Sequence, residues 1–129
     1  MIAAGLTLAT ALQQARADVV VIVSAQSSTT TITAAQISRI YQGKSNVMRP
    51  IDIEEPHTRR EFYSKVVRTE EAQVKGMWAK LVFTGKGSAP KEFPSGAEVV
   101  KAVAADPHAI GYVDSSFVNM TVKVIYTVK

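Results

Sequence analysis

Pro50-Ile51-Asp52-Ile53-Glu54-Glu55-Pro56-His57-Thr58-Arg59-Arg60-Glu61-Phe62-Tyr63 is the stretch on which the fold turns. It reads as a short buried strand, a polar turn, and the first turn of an amphipathic helix with Phe62 and Tyr63 on its apolar side. In α/β proteins such a junction turns backbone N–H groups and the positive end of a helix dipole toward an anion. Arg59 and Arg60 stand in the opening turn, where a helix favours Asp or Glu. Either they meet a ligand anion or they pair with Glu54, Glu55 and Glu61. The residues alone leave both open.

Upstream, Asp18 to Val23 is a continuous β-branched run without polar alternation, the pattern of a central strand buried on both faces. A hydroxyl-rich loop, Ser24 to Thr31, follows it. Thr33 and Gln36 fit a capping box opening a helix through Ile37 and Ile40 to Tyr41, with Gly43 as its left-handed stop. Met48 to Ile53 is the second strand. Downstream of the junction, Phe62, Tyr63, Val66 and Val67 belong to one helix. Val74, Met77, Trp78, Leu81 and Val82 belong to the next, opened by Thr69-Glu70-Glu71. Phe83 to Pro94 reads as a loop. Ser95 and Glu98 match a second capping box, for a helix ending at Asp106-Pro107. Ile110 to Val113 and Val122 to Val128 are strands, with a turn at Asp114-Ser115-Ser116 between them. This order predicts an α/β fold, a mixed sheet flanked by helices on both faces.

Residues 1–17 differ from the rest. An apolar small-residue run from Ile2 to Leu12 precedes Ala15-Arg16-Ala17, an A-x-A cleavage pattern. The run is shorter than the roughly 20 residues a membrane span needs. No Lys or Arg comes before it, so the positive start of an export signal is missing. A signal peptide over 1–17, a periplasmic location and one domain over 18–129 are the expectation.

Much chemistry is excluded by composition. The chain has no cysteine, so neither a disulfide framework nor a thiolate metal site can form. His57 and His108 are far apart and lack partners at metal spacing, so no metal and no cofactor are expected. No nucleophile elbow or phosphate loop of the nucleotide-binding type is present, and Glu54 and Glu55, adjacent on a strand end, diverge. No catalytic constellation is found, and no enzyme is expected. A net charge of +4 without aromatics interleaved among the basic residues gives no support for nucleic-acid binding. What remains are hydroxyls beyond strand ends, Ser27 and Ser28 after the first strand and Thr58 after the second, together with Arg59 and Arg60. With helix-start N–H groups, such donors suit an oxyanion.

Several stretches carry a resemblance. Ala35-Gln36-Ile37-Ser38-Arg39-Ile40-Tyr41-Gln42-Gly43-Lys44 resembles the L-x-x-I-Y-x-G-K segment of phosphate-type periplasmic substrate-binding proteins. Ala109-Ile110-Gly111-Tyr112-Val113 resembles their G-A-I-G-Y-V strand. Arg60-Glu61-Phe62-Tyr63, Trp78 and Phe83-Thr84-Gly85-Lys86-Gly87 are similar to the short, single-lobe members of the family. The resemblance covers nearly all of 18–129 and implies the type 2 periplasmic-binding fold, reduced to about one lobe. The family's helix-start Ser-Gly-Thr falls on Thr58-Arg59-Arg60, and its Arg-x-Asp falls near Glu54 and Pro56.

Two functions follow. The resemblance implies an exported component of an ABC-type transporter, binding inorganic phosphate or a similar oxyanion and working with the transporter's membrane subunits. Arg60 would then be the main charged donor, Thr58 a hydroxyl and N–H donor, and Arg59, Ser27 and Ser28 lesser contacts. The alternative is a binding-fold lobe used for protein interaction or as a membrane-complex accessory, for instance as a homodimer covering the Thr58–Arg60 turn.

Overall fold

The computed structural model describes residues 17–129. The expected export signal, but for Ala17, lies outside the described residues. Five strands form one sheet: β1 (Val19–Ser24), β2 (Arg49–Ile53), β3 (Lys91–Phe93), β4 (Ala109–Asp114) and β5 (Val122–Thr127). Their spatial order is β3-β2-β4-β1-β5. β2 lies parallel to both β3 and β4, whereas β1 runs antiparallel to β4 and to β5. The sheet is mixed as expected, with β1 alone reversed. All six β1 residues are buried, which fits its place between β4 and β5 and explains its unbroken apolar run.

The helices are α1 (Ala34–Tyr41), α2 (Pro56–Phe62), α3 (Glu71–Phe83) and α4 (Gly96–Ala104). A π-helical segment, Tyr63–Val67, continues α2 and closes on Arg68 in the left-handed region. Side chains alternate across β4, so Gly111 and Tyr112 meet different layers. Gly111 faces α4: a Cβ at this residue would lie 2.9 Å from Val103 and 3.0 Å from Val99. Tyr112 faces the other layer, its ring stacked on Phe62 at 3.7 Å between centroids, with Tyr41 edge-on to both. Helices therefore cover both faces, α4 on one and α1 with α2 on the other. Aromatic pairs of this kind add about 0.5–1.5 kcal/mol each beyond their burial.

The α1 capping box forms as its sequence predicts, Thr33 Oγ accepting from the Gln36 N–H and Gln36 Oε1 from the Thr33 N–H. Gly43 sits at φ 75°, the stop that α1 needs. Three expectations are corrected. Lys91–Phe93, read as part of a loop, is strand β3. It has only three residues, and its register along β2 (Ile51↔Lys91, Asp52↔Glu92, Ile53↔Phe93) leaves Lys91 and Glu92 exposed on an edge, where charge protects against further pairing. Its signal is therefore too short and too polar to read. The second capping box does not form: Ser95 is the N-cap of α4, but its side chain takes no cap hydrogen bond. The helix after β2 starts earlier than expected, at Pro56, with Glu55 as its cap.

The tight seat of α4 on β4 makes Gly111→Ala an informative change. Overpacking of this order destabilises by about 1–3 kcal/mol. We expect the urea midpoint to fall with the slope unchanged, read by far-UV circular dichroism.

Candidate functional site

The β2–α2 junction is built from the cap outward. Glu55 leaves the strand in an extended conformation, and Pro56 takes the first helical position, where its missing N–H is harmless. The Glu55 carboxylate turns back over the helix start. Its Oε2 accepts from the His57 N–H at 2.9 Å, and its Oε1 accepts from the Thr58 N–H at 2.9 Å and the Thr58 hydroxyl at 2.6 Å. Those bonds, the Thr58 hydroxyl first, hold the Glu55 carboxyl below the usual carboxylate range. Thr58 itself is only 3% exposed. The donors expected to grip an anion thus already hold one, a carboxylate from the chain itself.

The two arginines divide. Arg59 turns inward beneath α3. Its Nε donates to Glu71 Oε1 at 2.6 Å, one terminal nitrogen donates to the Ile53 carbonyl at 3.0 Å, and Glu92 and Asp52 lie at 3.6 and 3.8 Å. Its guanidinium also lies 5.4 Å from the Tyr63 ring centre. Burial opposes its charge, but the Glu71 hydrogen bond and the Asp52 charge outweigh that and raise its pKa. Arg60, one residue on, is exposed and borders a shallow depression with Ser64, Arg68, Thr69 and Glu70. It has no salt bridge among the described residues. Arg59 answers to pairing, and Arg60 faces solvent.

Ser27 and Ser28 are not brought to this turn. Val23 of β1 and Pro50 of β2 both lie beside Ile110 of β4, and β1 runs against β2. The loop after β1 therefore emerges where β2 begins, at least the length of β2 away, about 15 Å. There Ser27 is buried, its hydroxyl accepts from the Thr29 N–H at 3.1 Å, and its carbonyl accepts from Lys123 Nζ at 2.7 Å. Ser28 is exposed. The expectation of one hydroxyl cluster fails because the reversed direction of β1 is not written in β1's own residues.

What sequence reading missed is Asp52. This carboxylate lies inside the sheet layer, accepting from the Tyr63 hydroxyl at 2.7 Å and from the Tyr112 hydroxyl, with Arg59 beyond. Desolvation raises its pKa, and the bonds from Tyr112 and the charge of Arg59 limit the rise. Burial likewise raises the pKa values of Tyr41, Tyr63 and Tyr112, the Asp52 charge adding to it. A lone charge between Ile51 and Ile53 in a buried strand is the signal that could have found it. Tyr41 belongs to the same layer, its hydroxyl donating to the Ile51 and Ile110 carbonyls at 2.8 and 3.1 Å. Among the described residues no group of three or more His, Asp and Glu side chains could hold a metal ion, and no helix is long and apolar enough to cross a membrane.

With this geometry in place, comparison with solved structures is informative. A protein from Clostridium perfringens assigned as a phosphate ABC transporter substrate-binding protein, with bound phosphate, superposes with a TM-score of 0.69 at 17% identity, over 86% of this chain and 45% of that one. An ABC-type phosphate transport receptor from Vibrio cholerae gives 0.64 at 18% identity, over 84% and 45%. PstS from Borrelia burgdorferi gives 0.62 at 14%, over 87% and 47%. The chain thus spans under half the length of each, and at these identities the likeness is one of fold. No family profile and no curated protein sequence matches the chain. The fold is that of one lobe of a phosphate-type periplasmic-binding protein.

The tyrosines around Asp52 fix a pH response. Their folded pKa values lie above the unfolded value near 10, so the folded state holds protons that the unfolded state releases, and stability falls as pH rises past about 10. Each such group contributes up to about 1.4 kcal/mol per pH unit to the fall. Unfolding free energies from urea melts should therefore fall by about 1.4 kcal/mol less for Tyr41→Phe than for the wild type between about pH 9 and 11.

Proposed function

We propose that this chain is an exported binding component of an ABC-type phosphate or oxyanion transporter, with no catalytic role. The observation that carries this reading is the likeness of its single lobe to three phosphate-transport proteins, one of them with phosphate bound. The anion would sit at the β2–α2 turn, on the His57 and Thr58 N–H groups, with Arg60 as the charged donor and Arg59 contributing only its field. Ser27 and Ser28 take no part in that site. To enter, the anion displaces the Glu55 carboxylate, which already satisfies both N–H groups and the Thr58 hydroxyl. Binding is therefore an exchange of one anion for another, and weak in this lobe alone.

Those same Glu55 bonds favour a second reading, a lobe used as a protein-interaction module or membrane-complex accessory without a small ligand. A chain that caps its own helix with a carboxylate leaves none of the helix-start donors at His57 and Thr58 for phosphate.

Calorimetry with inorganic phosphate separates the two. Under the first reading Glu55→Ala binds phosphate more tightly than the wild type, by about tenfold if one charge-assisted contact is released, and Arg60→Ala binds it more weakly. No heat from either the wild type or Glu55→Ala at millimolar phosphate would leave the second reading.

A further inference from the structure

α3 is an apolar helix that the fold leaves on its surface. It carries Val74, Met77, Trp78, Leu81, Val82 and Phe83 among 13 residues, and only Val74 is buried. A cleft of about 460 Å³, lined in part by Trp78 and Val82, opens beneath it. Trp78 and Leu81 turn toward the end of α1: the indole donates to the Tyr41 carbonyl, and Leu81 packs over Gly43, where a Cβ would lie 2.5 Å from its Cδ1. Phe83 stands about 200° around the helix from Leu81 and so points outward. It is 87% exposed, and Val82 beside it is 49% exposed.

The charge around this helix is one-sided. From 72 to 91 the chain has four lysines, Lys75, Lys80, Lys86 and Lys91, and no Asp or Glu. From 19 to 51 it has no Asp or Glu either, and the Gly43–Leu81 contact sets that segment against α3. There Arg39, Gly43, Lys44, Ser45, Asn46 and Lys86 line a hollow of about 470 Å³, three cations without a carboxylate. Arg39, Lys44, Lys75, Lys80 and Lys86 have no salt bridge among the described residues. A helix end attracts a cation, which accounts for Lys44 or Lys86 singly. It does not account for five unpaired cations beside an apolar helix left in water.

The chemistry of the face selects its partner. A second copy would set these lysines against their own kind. Protein interfaces favour Arg and shed Lys, yet past Glu71 every charge on α3 and the loop as far as Lys91 is a lysine. Helices that lie on membranes carry such flexible-stemmed lysines around Phe, Trp and Leu. We propose that the outer face of α3 and the adjoining hollow rest on an anionic lipid surface. Phe83 and Val82 enter the headgroup layer, and Lys80, Lys86, Lys44 and Arg39 meet lipid phosphates. The hollow adjoins the turn before β2, at the opposite end of that strand from the Thr58 helix start, so this surface is independent of the phosphate reading.

The test sediments the full chain with vesicles of phosphatidylcholine alone and of equal parts phosphatidylcholine and phosphatidylglycerol, with soluble polyglutamate as an acidic control. We expect capture by the anionic vesicles only, released as salt rises. Lys80→Gln and Lys86→Gln should each weaken capture about fivefold, the share of one lysine at an anionic surface. Phe83→Ser should weaken it about tenfold, the share of one buried aromatic. All three positions are exposed, and far-UV circular dichroism confirms that the variants fold. The apolar run from Ile2 to Leu12 could itself meet lipid, so capture unchanged in all three variants overturns the proposal. No capture, or equal capture by neutral and anionic vesicles, overturns it too. Binding to polyglutamate with vesicle capture indifferent to Phe83→Ser would assign the face to an acidic protein and likewise overturn it. Phe83→Ser should leave phosphate calorimetry unchanged, so failure here and failure of the phosphate reading are told apart.

Discussion

The buried carboxylate of Asp52 is the constraint around which this lobe is arranged. An ionisable group inside a sheet layer is tolerated only when its acceptors are filled. Tyr63 comes from the π-helical segment, Tyr112 from β4 and Arg59 from α2, so one residue of β2 ties together three other elements. Arg59 then extends the tie to α3 through Glu71 and to β3 through Glu92. This matters for α3, whose only buried residue is Val74. With so little apolar area against the sheet, the helix depends on the Arg59–Glu71 pair and on the Trp78 indole, which donates to the Tyr41 carbonyl at 2.8 Å. The cleft beneath α3 is a consequence of that sparse packing.

The same constraint decides the fate of the two adjacent arginines. Neighbouring residues on a helix point about 100° apart, so when Asp52 and Glu71 draw Arg59 inward, Arg60 must face solvent. Glu55 completes the division by occupying the helix start. Two basic residues next to an anion-attracting turn therefore supply one available cation, with the turn's own donors already in use.

Most of the architecture was legible in the sequence, for physical reasons visible at particular residues. β1 was readable because a fully buried strand has no polar alternation to confuse it, and α1 because Thr33 and Gln36 state its start in side-chain chemistry. β3 was not, because three residues on a charged edge carry neither length nor alternation. The Ser95–Glu98 pattern misled because a capping box needs both side chains to turn inward, and spacing alone does not require that. The site was half legible. The β2–α2 junction was found, yet its assembly with Ser27 and Ser28 failed because strand direction is set by pairing partners and not by the strand itself. Glu55 read as one of two diverging carboxylates on a strand end, although a residue just before Pro56 is well placed to cap the helix that follows.

The likeness to larger phosphate-transport proteins and the local chemistry point at different scales of the molecule. Backbone similarity shows a shared fold, and at 14–18% identity it does no more than that. Affinity depends on the charges and donors left at the β2–α2 turn. A helix start exposed to water contributes about 0.3–1 kcal/mol toward an anion. A millimolar complex already requires about 4 kcal/mol. The difference must come from desolvation and from charge-assisted bonds, and in this lobe Glu55 takes the N–H groups while Arg59 is held by carboxylates. Under the phosphate reading, capture by the lobe alone would therefore rest on Arg60 and on the release of Glu55. A second surface closing over the turn would supply both the desolvation and the incentive for that release.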